Sequence, residues 1–174
     1  MQKASPPRGK WRNVVLPLAA LLIFAADQLS KMWVRANLAV GQSLFELGFF
    51  QIIRVRPNTG AVFGLFPGHT FILTIIGLVG VVALLVYSLF VYRRFPRLDS
   101  MLSKTALGLI LGGTLGNLVD RLNPGLGGVT DFISIGIWPA FNIADSAIVV
   151  GIIIFAYSFR SLAGVGGGYD GQSI

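Results

Sequence analysis

The chain has 174 residues, 12% of them charged, and a formal net charge of +7 at pH 7; its mean hydropathy is +0.75. An average soluble domain carries roughly 25% charged residues, so this composition excludes a soluble enzyme, a disordered tail and a nucleic-acid binder, and makes the bilayer the solvent for most of the chain. With no cysteine and a single histidine, His69, disulfides, thiolate chemistry and a His/Cys metal centre are excluded too.

The chain opens on a basic tail with Lys3, Arg8, Lys10 and Arg12, followed by a first apolar stretch at about 14–34. A cleaved signal peptide ending at Ala25-Ala26 would share the basic start. Phe24 is a poor residue so close to such a cut, however, and the apolar pattern continues through Met32-Trp33-Val34, so the segment reads as a retained helix. Asp27 and Lys31 are four apart on one face and can pair, which makes a structural ion pair at the membrane edge the plain reading.

Residues 37–69 are too many for a simple connection. Phe49-Phe50-Gln51-Ile52-Ile53-Arg54-Val55-Arg56 predicts a short strand or small sheet, ending in the turn Pro57-Asn58-Thr59-Gly60. Its apolar content suggests a place on the membrane surface. A second apolar stretch, about 71–92, leads to Arg93, Arg94, Arg97 and Lys104.

The third stretch, about 102–122, carries Gly112-Gly113-Thr114-Leu115-Gly116-Asn117-Leu118-Val119-Asp120-Arg121. Gly112 and Gly116 form a G-x-x-x-G pair that lets another helix approach closely. Asn117, Asp120 and Arg121 share a face beyond it. A snorkelling Asp120–Arg121 pair would account for two of these residues and leave Asn117 unexplained.

Residues 123–140 are rich in Gly and Pro and contain Val129-Thr130-Asp131-Phe132. Phe141-Asn142-Ile143-Ala144-Asp145-Ser146 then opens the fourth stretch, about 141–159. Asn142 and Asp145 lie on one face. Asp145 falls in the first turn, where the helix dipole favours an anion, so a plain cap would also account for it. The tail, 164–174, is expected to be a disordered cytoplasmic extension of a single domain, 1–163.

Each stretch is long enough to cross a bilayer, and only helices satisfy such continuously apolar backbone in lipid. The expected fold is an α-helical integral membrane protein with four transmembrane helices and a small extracytoplasmic β-rich segment between the first and second. Lys and Arg of the tail and of the second connection, with Arg160, outnumber Lys31, Arg35, Arg54, Arg56 and Arg121 opposite, which places both termini in the cytoplasm.

Ionisable groups in membrane helices are unfavourable by roughly 2.5–3.5 kcal/mol at the centre, so each is a functional hypothesis. Asp27, Asp120, Asp131 and Asp145 all lie in or at the outward ends of apolar helices. Two carboxylates at one depth suit aspartic proteolysis. Like charges in contact share a proton; the ionised partner acts as base on water while the protonated one polarises the carbonyl.

Five ordered blocks resemble the bacterial lipoprotein signal peptidases, the signal peptidase II family. They are Asp27-Gln28-x-Ser30-Lys31, Asn58-Thr59-Gly60-Ala61-Val62-Phe63, Gly112-Gly113-x-x-Gly116-Asn117-x-x-Asp120-Arg121, Val129-x-Asp131-Phe132 and Phe141-Asn142-x-Ala144-Asp145-Ser146. Val62 is a departure, since a small Ala is more usual there. The resemblance implies an aspartyl endopeptidase of the bacterial cytoplasmic membrane, with its site near the outer leaflet; no metal or other cofactor is expected, and the chain is expected to act as a monomer. It would remove the signal peptide from diacylglyceryl-modified prolipoproteins, cutting before the lipidated cysteine. Its partners are that substrate and membrane lipid, with no nucleic acid. Asp131 and Asp145 would be the dyad, with Asn58, Gly60, Asn117, Arg121 and Asn142 binding substrate or positioning the dyad. Asp27 and Asp120 match family positions too, but with Lys31 they read as mainly structural. The apolar outward segment from Phe45 to Phe66 would then cradle the substrate.

Two other classes compete. A proton or ion carrier would distribute its acids through the bilayer, often between repeats, whereas here they gather toward one face and no repeat is visible. A non-catalytic assembly subunit would use the G-x-x-x-G face for a partner and tolerate Asp131→Asn.

Overall fold

The computed structural model describes residues 13–60, 69–91 and 100–164. Helix α1 is Val15–Asn37, and a hairpin of β1 (Ser43–Leu47) and β2 (Phe50–Ile53) follows. Helix α2, Thr70–Val86, ends in a π-helical turn at Tyr87–Val91. Helix α3 is Met101–Leu122; a 3-10 turn at Pro124–Leu126 and strand β3 (Ile133–Ile135) lead to helix α4, Ile143–Gly164. By length and composition α1, α2 and α3 can each cross a membrane, while the apolar part of α4, Ile143–Ser158, is shorter. Its end nearest the sheet begins on the polar group around Asp145 instead of on apolar residues. Helix α1 passes Ala25-Ala26 without a break.

Helix α3 is the central one, and glycine makes it so. A Cβ on Gly112 would lie 2.5 Å from the Ala20 carbonyl of α1, and one on Gly116 would collide with the Asp27 carboxylate. On the opposite side, a Cβ on Gly113 would lie 2.5 Å from the Ala144 carbonyl of α4. Helix α4 answers with Gly151, whose Cβ would come within 2.8 Å of the Ala106 carbonyl. Between helices in lipid there is no hydrophobic driving force, so this close backbone approach is what the association gains from. At the end away from the sheet Ser103 and Ser158 join α3 to α4 through their hydroxyls at 2.8 Å. Helix α2 is different: none of its residues is buried.

The sheet has the order β1-β2-β3, all antiparallel. The predicted strand is therefore present as β2, but its second partner comes from the connection between α3 and α4, where the sequence pattern predicts no strand. Phe50 pairs with Ile135 and Ile52 with Ile133. Beneath the sheet, Val34, Leu38 and Phe132 form a buried cluster with Ile52, Ile133 and Ile143 packed on it. Arg54 closes the end of α1, donating from Nη1 to the Arg35 and Leu38 carbonyls at 3.1 and 2.8 Å. The expected cradle is described only in part: Ala61, Val62, Phe63 and Phe66 lie outside the described residues, as do most of the tail and the cationic residues 3, 8, 10, 12, 93, 94 and 97.

Candidate active site

Asp131 is placed by backbone. The chain from Val129 to Ile133 runs between the continuation of β2 and Phe141: Asn58 N–H donates to the Val129 carbonyl at 2.8 Å, Ile53 N–H to Phe132 at 2.9 Å, and Phe132 N–H to Phe141 at 3.0 Å. Gly128, at φ +149°, permits the approach, since a Cβ there would lie 2.6 Å from the Asn58 carbonyl. Asp145 is placed by the start of α4. Asn142 and Asp145 form a reciprocal cap: Asp145 N–H donates to Asn142 Oδ1 at 3.0 Å, and Asn142 N–H to Asp145 Oδ2 at 3.3 Å.

Asn142 joins the two acids. Its fully buried side-chain amide donates to Asp131 Oδ1 at 2.7 Å, while its backbone N–H serves Asp145. Asn58 Nδ2 donates to the other Asp131 oxygen at 2.9 Å, and Asn117 Nδ2 to Asp145 Oδ1 at 2.8 Å. Each carboxylate thus receives an amide donor on both oxygens. Burial, and secondarily the Asp145 charge, push the Asp131 carboxyl up to about 7 against the pull of Asn58, Asn142 and Lys31.

Behind this pair lies a second buried group. Lys31 Nζ is 2.8 Å from Asp27 and 3.4 Å from Asp120, and all three side chains are 0% exposed. The predicted Asp27–Lys31 pair is therefore present, but Asp120 does not pair with Arg121. Asp120 points toward α1, where Arg35 Nη1 is 3.5 Å away, and accepts the Thr130 N–H at 3.0 Å. Arg121 turns the other way and donates to the Gly60 carbonyl at 3.0 Å. One helical step of about 100° separates their directions, which spacing alone cannot resolve.

All ten residues singled out from sequence fall in this one cluster. Sequence reasoning missed three more. Arg35 donates to Thr130 Oγ1 at 2.9 Å, and Gln28 Nε2 to the Gly116 carbonyl at 3.0 Å. Arg35 follows Asp27 and Lys31 at the same four-residue interval, so that helical repeat was the available signal. Thr130 lacked one. A cavity of about 130 Å³ adjoins the cluster, lined by Leu73 and Gly77 of α2, Asn117 and Arg121 of α3 and Ile148 of α4, among others. Arg121 Nε is buried with no hydrogen-bond partner among the described residues. No group of three or more His, Cys, Asp or Glu among the described residues has the arrangement of a metal site.

Residues 19–160 match the peptidase family A8, described as signal peptidase (SPase) II. A lipoprotein signal peptidase of Dehalococcoides mccartyi is 47% identical over 142 residues, covering 82% of this chain and 86% of that protein. One from Moorella thermoacetica is 43% identical over 147 residues, covering 84% and 93%. A bacterial membrane enzyme solved by the in meso method at 2.3 Å resolution superposes with a TM-score of 0.75 at 26% identity, covering 91% of this chain and 93% of that one.

Proposed function

The chain belongs to the signal peptidase II family, multi-pass bacterial membrane enzymes of the aspartic peptidase class that cleave signal peptides from prolipoproteins, and from that premise we propose that Asp131 and Asp145 are its catalytic dyad. The observation that carries this reading is Asn142, which donates to both carboxylates at once. The pair holds one proton, which we place on Asp131, where burial and the Asp145 charge raise the carboxyl to about 7. Asp145 is then the base. It takes a proton from water as the oxygen attacks the scissile carbonyl, and the Asp131 hydroxyl donates to the carbonyl oxygen. The tetrahedral adduct collapses as the C–N bond breaks: Asp145 gives its proton to the leaving amine, and a hydroxyl of the adduct returns one to Asp131 as the carbonyl re-forms. The charges support a single shared proton: Asp27 and Asp120 are balanced by Lys31 and Arg35, which leaves Arg121 to balance one negative charge on the dyad.

The substrate is a diacylglyceryl-modified prolipoprotein cut before its lipidated cysteine. Such a substrate stays in the bilayer and arrives sideways, which suits a dyad at the end of the helices beside a surface-lying sheet. Leu47, Phe49, Ile137 and Trp138 are exposed on that sheet and its turns, as an element in the interfacial layer requires. Arg121, whose Nε has no hydrogen-bond partner among the described residues, lines the cavity beside the dyad and suits a substrate carbonyl. Both termini lie in the cytoplasm, and the site lies near the outer leaflet of the cytoplasmic membrane.

The test is cleavage of a diacylglyceryl-modified prolipoprotein by purified wild type, Asp131→Asn and Asp145→Asn. Only wild type should cut. Cutting by either variant would displace the dyad, and a folded but inactive wild type would remove the substrate assignment.

A further inference from the structure

We propose that Lys31 is a positioning residue of the dyad, acting through Asn117, as well as one half of a buried ion pair. This rests on the dyad reading above. A terminal amide has two nearly equivalent ends, and its orientation is set by what faces it. The Asn117 oxygen lies 2.9 Å from Lys31 Nζ and 3.1 Å from Asn142 Nδ2. An ammonium can only donate, so Lys31 admits the oxygen and not the nitrogen on its side. The Asn117 N–H group is thereby turned to Asp145 Oδ1. With Lys31 gone, one neutral donor remains to hold that orientation. A reversed amide would then set its oxygen against the carboxylate that has to act as base.

The placement of Lys31 is unlike that of a plain interhelical ion pair. It is fully buried, and its three polar neighbours come from α1 and α3: Asp27 on its own helix, Asp120 and Asn117 on the next. The charged groups beyond them are Arg35, which shares Asp120; Asp131 and Asp145, which meet it through Asn117 and Asn142; and Arg121 of α3, whose charge also acts on both acids. A cation here, shielded from water, favours a single ionised carboxyl and then a doubly ionised dyad over their protonated forms. Lys31 thus acts on Asp145 by orientation and on the pair by charge.

The experiment follows cleavage of a diacylglyceryl-modified prolipoprotein against pH by wild type, Lys31→Met and the double variant Lys31→Met/Asp27→Asn, with thermal unfolding of each. In the double variant the amide oxygen introduced at position 27 can still accept the Ala144 N–H, and the buried charges remain balanced. For folded Lys31→Met we expect kcat to fall about ten-fold or more with KM within about two-fold of wild type, and the alkaline limb of the profile to move to higher pH. A purely structural residue would lower the melting temperature and leave the limb in place. If Lys31→Met shows no cooperative melting, the double variant decides. A similar loss of kcat supports the positioning role, and wild-type kcat overturns it. Wild-type kcat and limb in folded Lys31→Met overturn it as well. Failure of the wild type to cleave would instead fall on the proposed function.

Discussion

Asp27 on α1 accepts the backbone N–H of Ala144 on α4 at 3.0 Å, across 117 positions of sequence. The first turn of the helix that carries Asp145 is therefore capped by a different helix. The same carboxylate binds Lys31 through its other oxygen. Gly116 is the residue between them that has no side chain to obstruct this contact.

Asp27→Ala removes the cap and leaves Lys31 with one carboxylate fewer in a buried site. Breaking a buried pair in this way destabilises by about 3–5 kcal/mol. The expected result is a lower melting temperature and yield in detergent. A fully stable variant that no longer cleaves would show that Asp27 acts in the reaction and is more than a support.

The glycines of α3 should differ from Gly77 of α2 by what they face. Gly113→Ala drives a methyl against the Ala144 carbonyl at 2.5 Å and Ile148 at 2.9 Å. Overpacking of this kind costs about 1–3 kcal/mol. Gly77→Ala in α2 meets Leu118 at 3.5 Å, an ordinary contact, and should melt within experimental error of wild type. Equal melting temperatures for the two variants would contradict the packing described for α3.

The pH dependence follows from Asp131, whose carboxyl is raised from the usual 3.8 to about 7 by burial and by Asp145. Cleavage should fall as pH rises through about 7, because loss of the shared proton leaves two anions and no acid. Stability has the same sign. Between 3.8 and about 7 the folded state binds more protons than the unfolded chain, so stability declines as pH rises through that window. Melting temperature and kcat/KM measured against pH check both, and Asp131→Asn should flatten the pH dependence of melting.

Asn142→Ala removes the donor to Asp131 and the cap of α4 together. Loss of the cap destabilises by about 1 kcal/mol. Misorientation of the dyad should lower kcat by about a hundred-fold. The effect on rate should therefore far exceed the effect on melting. A variant with near-normal kcat would remove Asn142 as the link between the acids.

Much of this was legible in the residues. Continuous apolar runs located the helices, because lipid leaves the backbone no other open structure, and the order of polar blocks identified the cluster. Partners across long separations were not legible. Asp120 joins Lys31 and Arg35 of α1 instead of the adjacent Arg121, since neighbours on a helix diverge by about 100° and only the packed fold decides which helix each one meets. Strand β3 was missed because three residues beside glycine and proline carry too little periodicity; its pairing comes from the hairpin already in place.

Helix α2 has no buried residue and borders the cavity next to the proposed dyad through Leu73, Ile76 and Gly77. Its outer faces meet only acyl chains, which do not distinguish Leu from Ile or Val. Mutational drift along it is therefore constrained by hydropathy and length, with shape selected on a single stripe. Helix α3, held between two backbones, has no such freedom. A library randomised within the aliphatic residues should return many functional sequences for α2 and very few for α3.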